Sequence, residues 1–324
     1  MTNFEEQMTI SHNLYRFSEE VKFRPTHMKD GPPINILAGH GVDKTSRDSF
    51  YCDAMQAHLF SQTSVVAMVG GEVKGGVLGF IPQDLDNQDV YVPWKIVTSK
   101  DLSEADALKL CADMLSHVFS RNNRRISQVE IPDHIFALGH NGAPYNMETL
   151  DYLSQNTQPE VRDVKYLEFS DHVKGVANKL HGLVSDISLD LNSPNTYRML
   201  MHYFGNSCYL YNGDKSPLSA AVVGFKIPGE NLGFLWQVGV HTNFQGKGIG
   251  PEIINSWTRQ MIDKYEIKGY DTTVVPSKKS TSTQAFKKAV NMLKGATLET
   301  IMPGFFESNV LGGAEEEDLL RISL

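Results

Sequence analysis

A strand, a glycine-rich turn and a helix follow one another without interruption between residues 238 and 262. The turn reads Gln245-Gly246-Lys247-Gly248-Ile249-Gly250, and its glycines lack the Cβ atom that restricts other residues to negative φ. Pro251 suits a first helical turn, and the apolar residues after it recur at the spacing of one helix face. This order predicts a domain of the α/β (α+β) class. The apolar face comprises Ile253, Ile254, Trp257, Met261 and Ile262.

The same turn predicts an anion-binding site. The first N–H groups of the helix point outward without a helical partner, and a glycine backbone approaches a ligand closely, so the turn can hold phosphate. A P-loop would need Lys-Ser/Thr after its last glycine, where this chain has Pro251-Glu252, and the Gly-x-Gly-x-x-Gly spacing of a dinucleotide site is absent as well. The alternative is a turn whose glycines serve only to end the strand.

The sequence also repeats itself. Residues 59–82 match residues 203–228 in order and character, each as a predicted β-hairpin whose second strand ends in Gly-Phe and then proline. In both copies an apolar strand with a tryptophan follows, and then a helix. We therefore predict two tandem domains, each with a mixed central sheet flanked by helices; the alternative is a chance likeness of hairpins. The hairpin turns are Gly70-Gly71 and Asn212-Gly213-Asp214, and the tryptophans are Trp94 and Trp236.

The two copies differ at the start of the helix after the tryptophan strand. The first copy has no glycine there, and Ser103-Glu104-Ala105-Asp106 has the pattern of a capping box. Its side-chain oxygens would satisfy the helix N–H groups, and the nearby acids would repel a phosphate. We predict a degenerate domain over residues 1–145, a linker over 146–163 and a working domain over 164–324.

Length, charge and cysteine content narrow the function. A chain of 324 residues suits two domains of about 150 residues each. The net charge of −8 argues against a broad nucleic-acid or anionic-membrane surface and leaves room for an acidic pocket that attracts amines. No apolar run reaches membrane-spanning length, and no secretory signal is evident. The cysteines lack metal-type Cys-x-x-Cys pairs, so we expect no metal and a cytoplasmic protein with reduced thiols.

The pattern Gln-x-x-Gly-x-Gly after a strand resembles the pyrophosphate-binding signature of the GNAT superfamily of N-acetyltransferases. The resemblance implies acetyl-CoA as co-substrate, with its pyrophosphate on the glycine turn, its pantetheine arm along the preceding strand, and its 3′-phosphate near a lysine cluster. A bulge or splay at Gly239 would turn a free N–H toward the thioester oxygen; alternatively, Gly239 relieves crowding under a helix. The implied cofactor residues are Val238, Gly239, Val240, Gln245, Gly246, Lys247, Gly248, Ile249, Gly250 and Lys278.

Amide formation requires an uncharged amine, so a group must receive the proton of the acceptor ammonium. Gln237 could order a water for this purpose, and Glu307 is a carboxylate candidate. The acids of the tail are alternatives. The helix that often supplies a tyrosine to the leaving thiolate in this superfamily carries Phe286 and no tyrosine, so water could protonate the thiolate. The tail acids are Glu315, Glu316, Glu317 and Asp318.

Residues 186–324 resemble more narrowly the L-2,4-diaminobutyrate acetyltransferases. The matching stretches are LDLNSPNTYRMLMHYFGNSC, FLWQVGVHTNFQGKGIG, YDTTVVPS and the acidic tail EEEDLLRISL. The resemblance implies that Asp190 and Trp236 line the acceptor pocket, where a carboxylate could grip an ammonium group; alternatively, Asp190 caps a helix. The family usually has Pro-x-Asn where this chain has Pro276-Ser277-Lys278.

Three functions remain open at the level of sequence. The first is an acetyl-CoA-dependent N-acetyltransferase that acts on a small cationic amine, with a diamino acid as the first candidate. The others are a peptide or protein N-acetyltransferase and a non-catalytic acyl-CoA-binding module. We expect no nucleic-acid or membrane partner, and either a homodimer or a monomer in which the first copy replaces a second subunit.

Overall fold

In a computed structural model, the chain divides into two compact units, Met1–Glu168 and Phe169–Leu324. The structure describes residues 8–9, 20–38, 48–82, 89–122, 126–132, 136–137, 147–157, 163–187, 189–211, 218–276, 281–308 and 315–324, and the statements below concern these ranges. Each unit is a sheet flanked by helices, which confirms the predicted pair of α/β domains.

The sheet of the first unit has eight strands in the order β1-β2-β3-β4-β5-β6-β8, with β7 paired to β5. The predicted hairpin is formed by β3 and β4, which are joined by Gly70 and Gly71 at φ values of 58° and 86°. The strands are β1 (Met8–Thr9), β2 (Lys22–Pro25), β3 (Val65–Val69), β4 (Glu72–Phe80), β5 (Val90–Thr98), β6 (Gln128–Pro132), β7 (Phe136–Ala137) and β8 (Asp163–Leu167). The helices are α1 (Gly31–Ala38), α2 (Phe50–Leu59), α3 (Glu104–Arg121) and α4 (Met147–Asn156).

The sheet of the second unit has six strands in the order β13-β14-β12-β11-β10-β9. Strands β9 and β10 form the second predicted hairpin, whose turn at residues 212–214 lies outside the described residues. The strands are β9 (Tyr209–Tyr211), β10 (Ala220–Lys226), β11 (Leu232–Val240), β12 (Gly269–Val274), β13 (Thr297–Phe306) and β14 (Glu317–Ser323). The helices are α5 (Asp171–Ser185), α6 (Pro194–Tyr203), α7 (Ile249–Tyr265) and α8 (Thr281–Asn291).

The boundary between the units differs from the sequence-based one. Strand β8 pairs in parallel with β6 of the first sheet, although the sequence assigned residues from 164 onward to the second copy. Helix α4, expected in the linker, contacts α3. The boundary between the units depends on which strands pair, and the local amino-acid composition does not predict that pairing.

A β-bulge lies at the tryptophan of β11. The register against β10 runs from Val223↔Gln237 to Gly224↔Leu235, so Trp236 is the extra residue. A bulge re-aims the side chains that follow it. Consequently Leu235 and Val238, although three positions apart, both pack on the α7 side of the sheet.

The first unit has the same bulge at its own tryptophan. The register between β4 and β5 runs from Leu78↔Lys95 to Gly79↔Pro93, which leaves Trp94 as the extra residue. In both units, the glycine at the bulge precedes the phenylalanine that ends the matched Gly-Phe sequence. This shared irregularity supports internal duplication more strongly than the short sequence matches do, because a bulge at one position is a specific feature.

Candidate functional site

The glycine turn of the second unit is open to solvent. Gly246 and Gly248 have φ values of 75° and 82°, and a Cβ atom on either glycine would meet no heavy atom within 4 Å. Gly248 is the N-cap of α7 and supplies no side-chain acceptor. The first N–H groups of α7 are thereby left available to an anion. Gly250, the third glycine of the predicted turn, lies inside α7 and does not have a positive φ.

Two side chains of the turn have identifiable contacts. Gln245 Nε2 donates a 3.0 Å hydrogen bond to the carbonyl oxygen of Val240, which ties the turn to the end of β11. The ammonium of Lys247 lies 5.3 Å from the ring centroid of Phe244, within the range of a cation–π interaction. Ile249 begins α7. Lys278 lies outside the described residues.

Strands β11 and β12 separate beside this turn. Their parallel pairing covers residues 232–235 of β11, and beyond the bulge the described residues 237–240 pair only with β10. The backbone of Val238, Gly239 and Val240 therefore has an edge to which an extended ligand could add as a strand.

Gly239 lies in close contact with apolar side chains, which would have to shift to admit a larger residue. A Cβ atom at this position would lie 2.9 Å from Ile187 Cδ1 and 3.4 Å from Leu183 Cδ2, beneath α5. Gly239 pairs regularly with Ala221, so the bulge predicted at Gly239 lies instead at Trp236. Strands β11 and β12 do splay apart beside Gly239, as predicted. The short distances to Ile187 and Leu183 also support the alternative that this glycine relieves crowding under a helix.

The bulge turns Gln237 toward α6 and the segment before it. Gln237 is 7% exposed. Its Nε2 donates a 2.9 Å hydrogen bond to the carbonyl oxygen of Asp190, and its Oε1 accepts one of 3.4 Å from the Tyr197 hydroxyl. Trp236 itself is buried. Of the predicted acceptor and catalytic residues, Asp190 and Gln237 therefore lie together, and Trp236 precedes Gln237 on the strand.

Asp190 does not cap a helix. The N-cap of α6 is Ser193, whose hydroxyl accepts a 3.2 Å hydrogen bond from the Thr196 N–H. The carbonyl of Asp190 also accepts a 3.4 Å bond from Asn192 Nδ2. Although part of its surface is exposed, partial burial raises the pKa of its carboxyl group.

Glu317 is the tail carboxylate that lies within electrostatic range of Asp190. It begins β14, next to Asp318, which pairs with the last residue of β12. Burial, assisted by the charge of Asp190 and opposed by a hydrogen bond with Thr273, raises the pKa of Glu317 to about 7. The sequence placed Glu317 among several tail acids without distinguishing it, because only the pairing of β14 with β12 brings it here.

Glu307 occupies a different place. It is exposed just after β13, an edge strand separated from β11 by β14 and β12. Phe286 is buried in α8. Of the proposed carboxylates, Glu317 is thus the one whose environment prepares it to exchange a proton near neutral pH.

The corresponding strand edge of the first unit is filled by the chain itself. Strand β7 pairs in parallel with Ile96 and Val97 of β5, which lie two and three residues after the bulged Trp94, as Val238 and Gly239 follow Trp236. The helix start is also closed, because Ser103 accepts a 3.2 Å hydrogen bond from the Asp106 N–H. These contacts support the prediction that the first unit does not hold a cofactor in this way.

A buried ion pair replaces the Gln237 network in the first unit. Lys95, the residue after the bulged tryptophan, bonds Asp53 and lies 3.1 Å from Asp48 Oδ2. Burial alone would lower the pKa of Lys95, but the charges of Asp53 and Asp48 outweigh it and raise the pKa. Asp53 lies four residues after the N-cap Ser49, as Tyr197 lies four after Ser193. Together with Cys52, the two aspartates have spacing suited to a metal, but the ammonium of Lys95 already pairs with both and compensates one of their two charges.

Comparison with known proteins identifies the family. No protein-family model matches the sequence. An L-2,4-diaminobutyric acid acetyltransferase of Marinococcus halophilus is 31% identical over 139 residues, which are 42% of this chain and 77% of that protein. Its counterpart in Shouchella clausii is 35% identical over 112 residues, 33% of this chain and 58% of that protein.

Among solved structures, the diaminobutyrate acetyltransferase of Paenibacillus lautus, in complex with L-2,4-diaminobutyric acid and coenzyme A, aligns with 25% identity and a TM-score of 0.39, over 46% of this chain and 90% of that chain. On the strength of the Marinococcus relative, the chain belongs to the family of the L-2,4-diaminobutyric acid acetyltransferases.

Proposed function

We propose that the second unit transfers the acetyl group of acetyl-CoA to a primary amine of a small cationic acceptor, with a diamino acid such as 2,4-diaminobutyrate as the first candidate. The observation that carries this proposal is the open glycine turn at the start of α7, beside the separated edge of β11. The family relationship supports the same reaction.

The cofactor would bind along this edge. The N–H groups at Gly248 and the residues after it would hold the pyrophosphate, with Lys247 adding positive charge. The pantetheine arm would extend β11 at Val238 to Val240. This arrangement presents the thioester at the gap between β11 and β12, on the side where the two carboxylates lie.

The acceptor would bind between Asp190 and Glu317. Asp190 would pair with one ammonium group, and Trp236 would lie beside it. The carboxylate of Glu317 would take the proton of the attacking ammonium, because a base with a pKa near 7 is matched to neutral conditions. The amine nitrogen then attacks the thioester carbon and the C–N bond forms. The C–S bond breaks, the CoA thiolate leaves, and the excess proton on the new amide nitrogen passes through water to the thiolate.

Release of CoA thiol from acetyl-CoA, measured with diamino acids, polyamines, single amino acids and peptides, tests the proposal. We expect turnover with diamino acids. Turnover confined to peptides would indicate a peptide acetyltransferase instead. CoA binding without turnover on any amine would indicate an acyl-CoA-binding module, and both results would contradict the proposed acceptor.

The variant Gly248→Glu tests the cofactor site. A glutamate there puts a side chain on a residue with φ of 82° and a negative charge beside the pyrophosphate, so we expect CoA affinity to fall at least about 100-fold. Isothermal titration calorimetry measures it.

The matched control is Gly229→Glu. Gly229 has a φ of 78° and free space around its Cα, and it lies in the turn between β10 and β11. It should suffer similar backbone strain and keep CoA affinity within about twofold. Unchanged affinity in Gly248→Glu, or an equal loss in both variants, would contradict the cofactor assignment.

Assembly and cellular location remain predictions. In the described part of the chain, no helix is both long and apolar enough to cross a bilayer. A homodimer and a monomer that carries an inactive first copy are both compatible with the proposed reaction, and light scattering of the purified protein decides between them.

A further inference from the structure

Both polar atoms of the Gln237 amide already make hydrogen bonds within the protein. Its Nε2 is engaged by the carbonyl of Asp190 at 2.9 Å, and its Oε1 by the hydroxyl of Tyr197 at 3.4 Å. The tyrosine hydroxyl donates to the oxygen of the amide, which fixes the amide so that its NH₂ group points to Asp190. The side chain is almost fully buried, so water competes little for either bond.

The segment that Gln237 holds carries the acceptor carboxylate. Asp190 lies between α5 and α6, just before the N-cap Ser193. Its backbone carbonyl accepts hydrogen bonds from both Gln237 and Asn192, and Asn192 is 1% exposed. Two buried amides thus fix the peptide group of Asp190, while its side chain remains available to a ligand.

We propose that Gln237 is a positioning residue for the acceptor: it holds the Asp190 carbonyl so that the Asp190 carboxylate stays opposite Glu317. This inference rests on the proposed function. It assigns to Gln237 control of acceptor affinity, and it replaces the sequence-based hypothesis that Gln237 orders a catalytic water.

The first unit supports the importance of this position. Lys95, which follows the bulge as Gln237 does, also reaches a helix start, where it bonds Asp48 just before the N-cap Ser49 and Asp53 in the first turn of α2. In each unit the residue after the bulge therefore ties its strand, β5 or β11, to the start of a helix that comes earlier in the chain, α2 or α6. In the second unit a neutral amide makes this tie and leaves the carboxylate of Asp190 free to pair with a cation from outside.

The variant Gln237→Leu tests the proposal, because leucine fills similar space without either hydrogen bond. We expect KM for the amine to rise about tenfold, KM for acetyl-CoA to stay within about twofold, and kcat to change less than about threefold. The acidic limb of the kcat profile should keep its midpoint, since Glu317 is untouched. A large fall in kcat with unchanged amine KM would overturn the proposal.

The matched control is Gln260→Leu. Gln260 Nε2 also donates to backbone carbonyls of the second unit, those of Asn206 at 2.7 Å and Cys208 at 3.2 Å. Both variants should lower thermal stability to a similar degree, but only Gln237→Leu should raise the amine KM. The same KM shift in both variants would show a general loss of packing and overturn the proposal.

Amide hydrogen exchange of residues 189–193, measured without substrate, separates this inference from the proposed function. Faster exchange in Gln237→Leu and unchanged exchange in Gln260→Leu support the positioning role, even if no tested amine is acetylated. Unchanged exchange in both variants overturns it. If Gln237→Leu does not fold, Tyr197→Phe removes only the hydroxyl that orients the amide and should shift the amine KM and the exchange in the same direction to a smaller degree.

Discussion

At the scale of single residues, Glu317 acquires its chemical character from its neighbours. An ordinary glutamate is ionised well below neutral pH, whereas burial and the nearby charge of Asp190 raise the pKa of Glu317 to about 7. Two carboxylates that share a site resist ionising together, and their apparent titration belongs to the pair. Such a pair can accept a proton from one ammonium group while it holds another.

This environment predicts a pH dependence. Glu317 must be deprotonated to act as a base, so kcat/KM should rise with pH through an apparent pKa near 7 and level off above it. In Asp190→Asn, removal of the like charge should move this limb to lower pH, while the amine KM rises. Glu317→Gln should lower kcat by about 10² to 10⁴-fold and abolish the limb. A limb that stays in place in Asp190→Asn, or persists in Glu317→Gln, would contradict the role of the pair.

At the scale of elements, the starts of α7 and α3 occupy equivalent positions in the two units but differ in whether their N–H groups are capped. Helix α7 begins at a glycine in the left-handed region and leaves its N–H groups open, whereas α3 begins at Ser103, whose hydroxyl fills one of those bonds. The adjoining strand edges differ in the same sense, because β7 covers β5 and no described strand covers the end of β11. The first copy is closed at both places where the second is open.

The ion pair between α2 and β5 should contribute to the stability of the first unit. Lys95→Met leaves Asp53, which is 0% exposed, without its countercharge, and removal of one partner of a buried pair costs about 3–5 kcal/mol. Urea denaturation followed by circular dichroism measures the change.

The control for this prediction is Lys74→Met, which removes a lysine paired with the exposed Glu72. It should change stability little, because exposed ion pairs contribute little. Addition of Asp53→Leu to Lys95→Met should recover part of the loss, since the uncompensated charge disappears. Equal losses of unfolding free energy in the two lysine variants would show that the buried pair contributes no more to stability than the exposed one.

At the scale of the whole molecule, duplication has left two copies of one architecture with unequal sites. Both sheets carry a bulge at a tryptophan and a tie from the next residue to a helix start. Because only the second copy has an open turn and an uncovered strand edge, we expect one CoA per chain. Calorimetric titration should give a stoichiometry near one, and Gly248→Glu should bring it to zero. A stoichiometry near two would contradict the closure of the first copy.

The sequence by itself determined the features that depend on local geometry. The glycine turn before α7, the hairpins, the capping of α3 by Ser103 and the order of elements in each copy follow from glycine φ preferences, apolar periodicity and capping chemistry, which act within a few residues. These same signals gave the two-domain organisation and the family resemblance.

The tertiary structure alone decided the features that depend on contacts between distant segments. The pairing of β14 with β12 selects Glu317 from a run of acids, the bulge at Trp236 sends Gln237 to Asp190, and the pairing of β8 with β6 places the boundary after Glu168. Burial and charge from distant residues set a pKa, and strand register sets which face a side chain occupies. The pKa of a side chain and the sheet face it occupies cannot be read from the residues nearest in sequence, because both arise only when remote parts of the chain pack together.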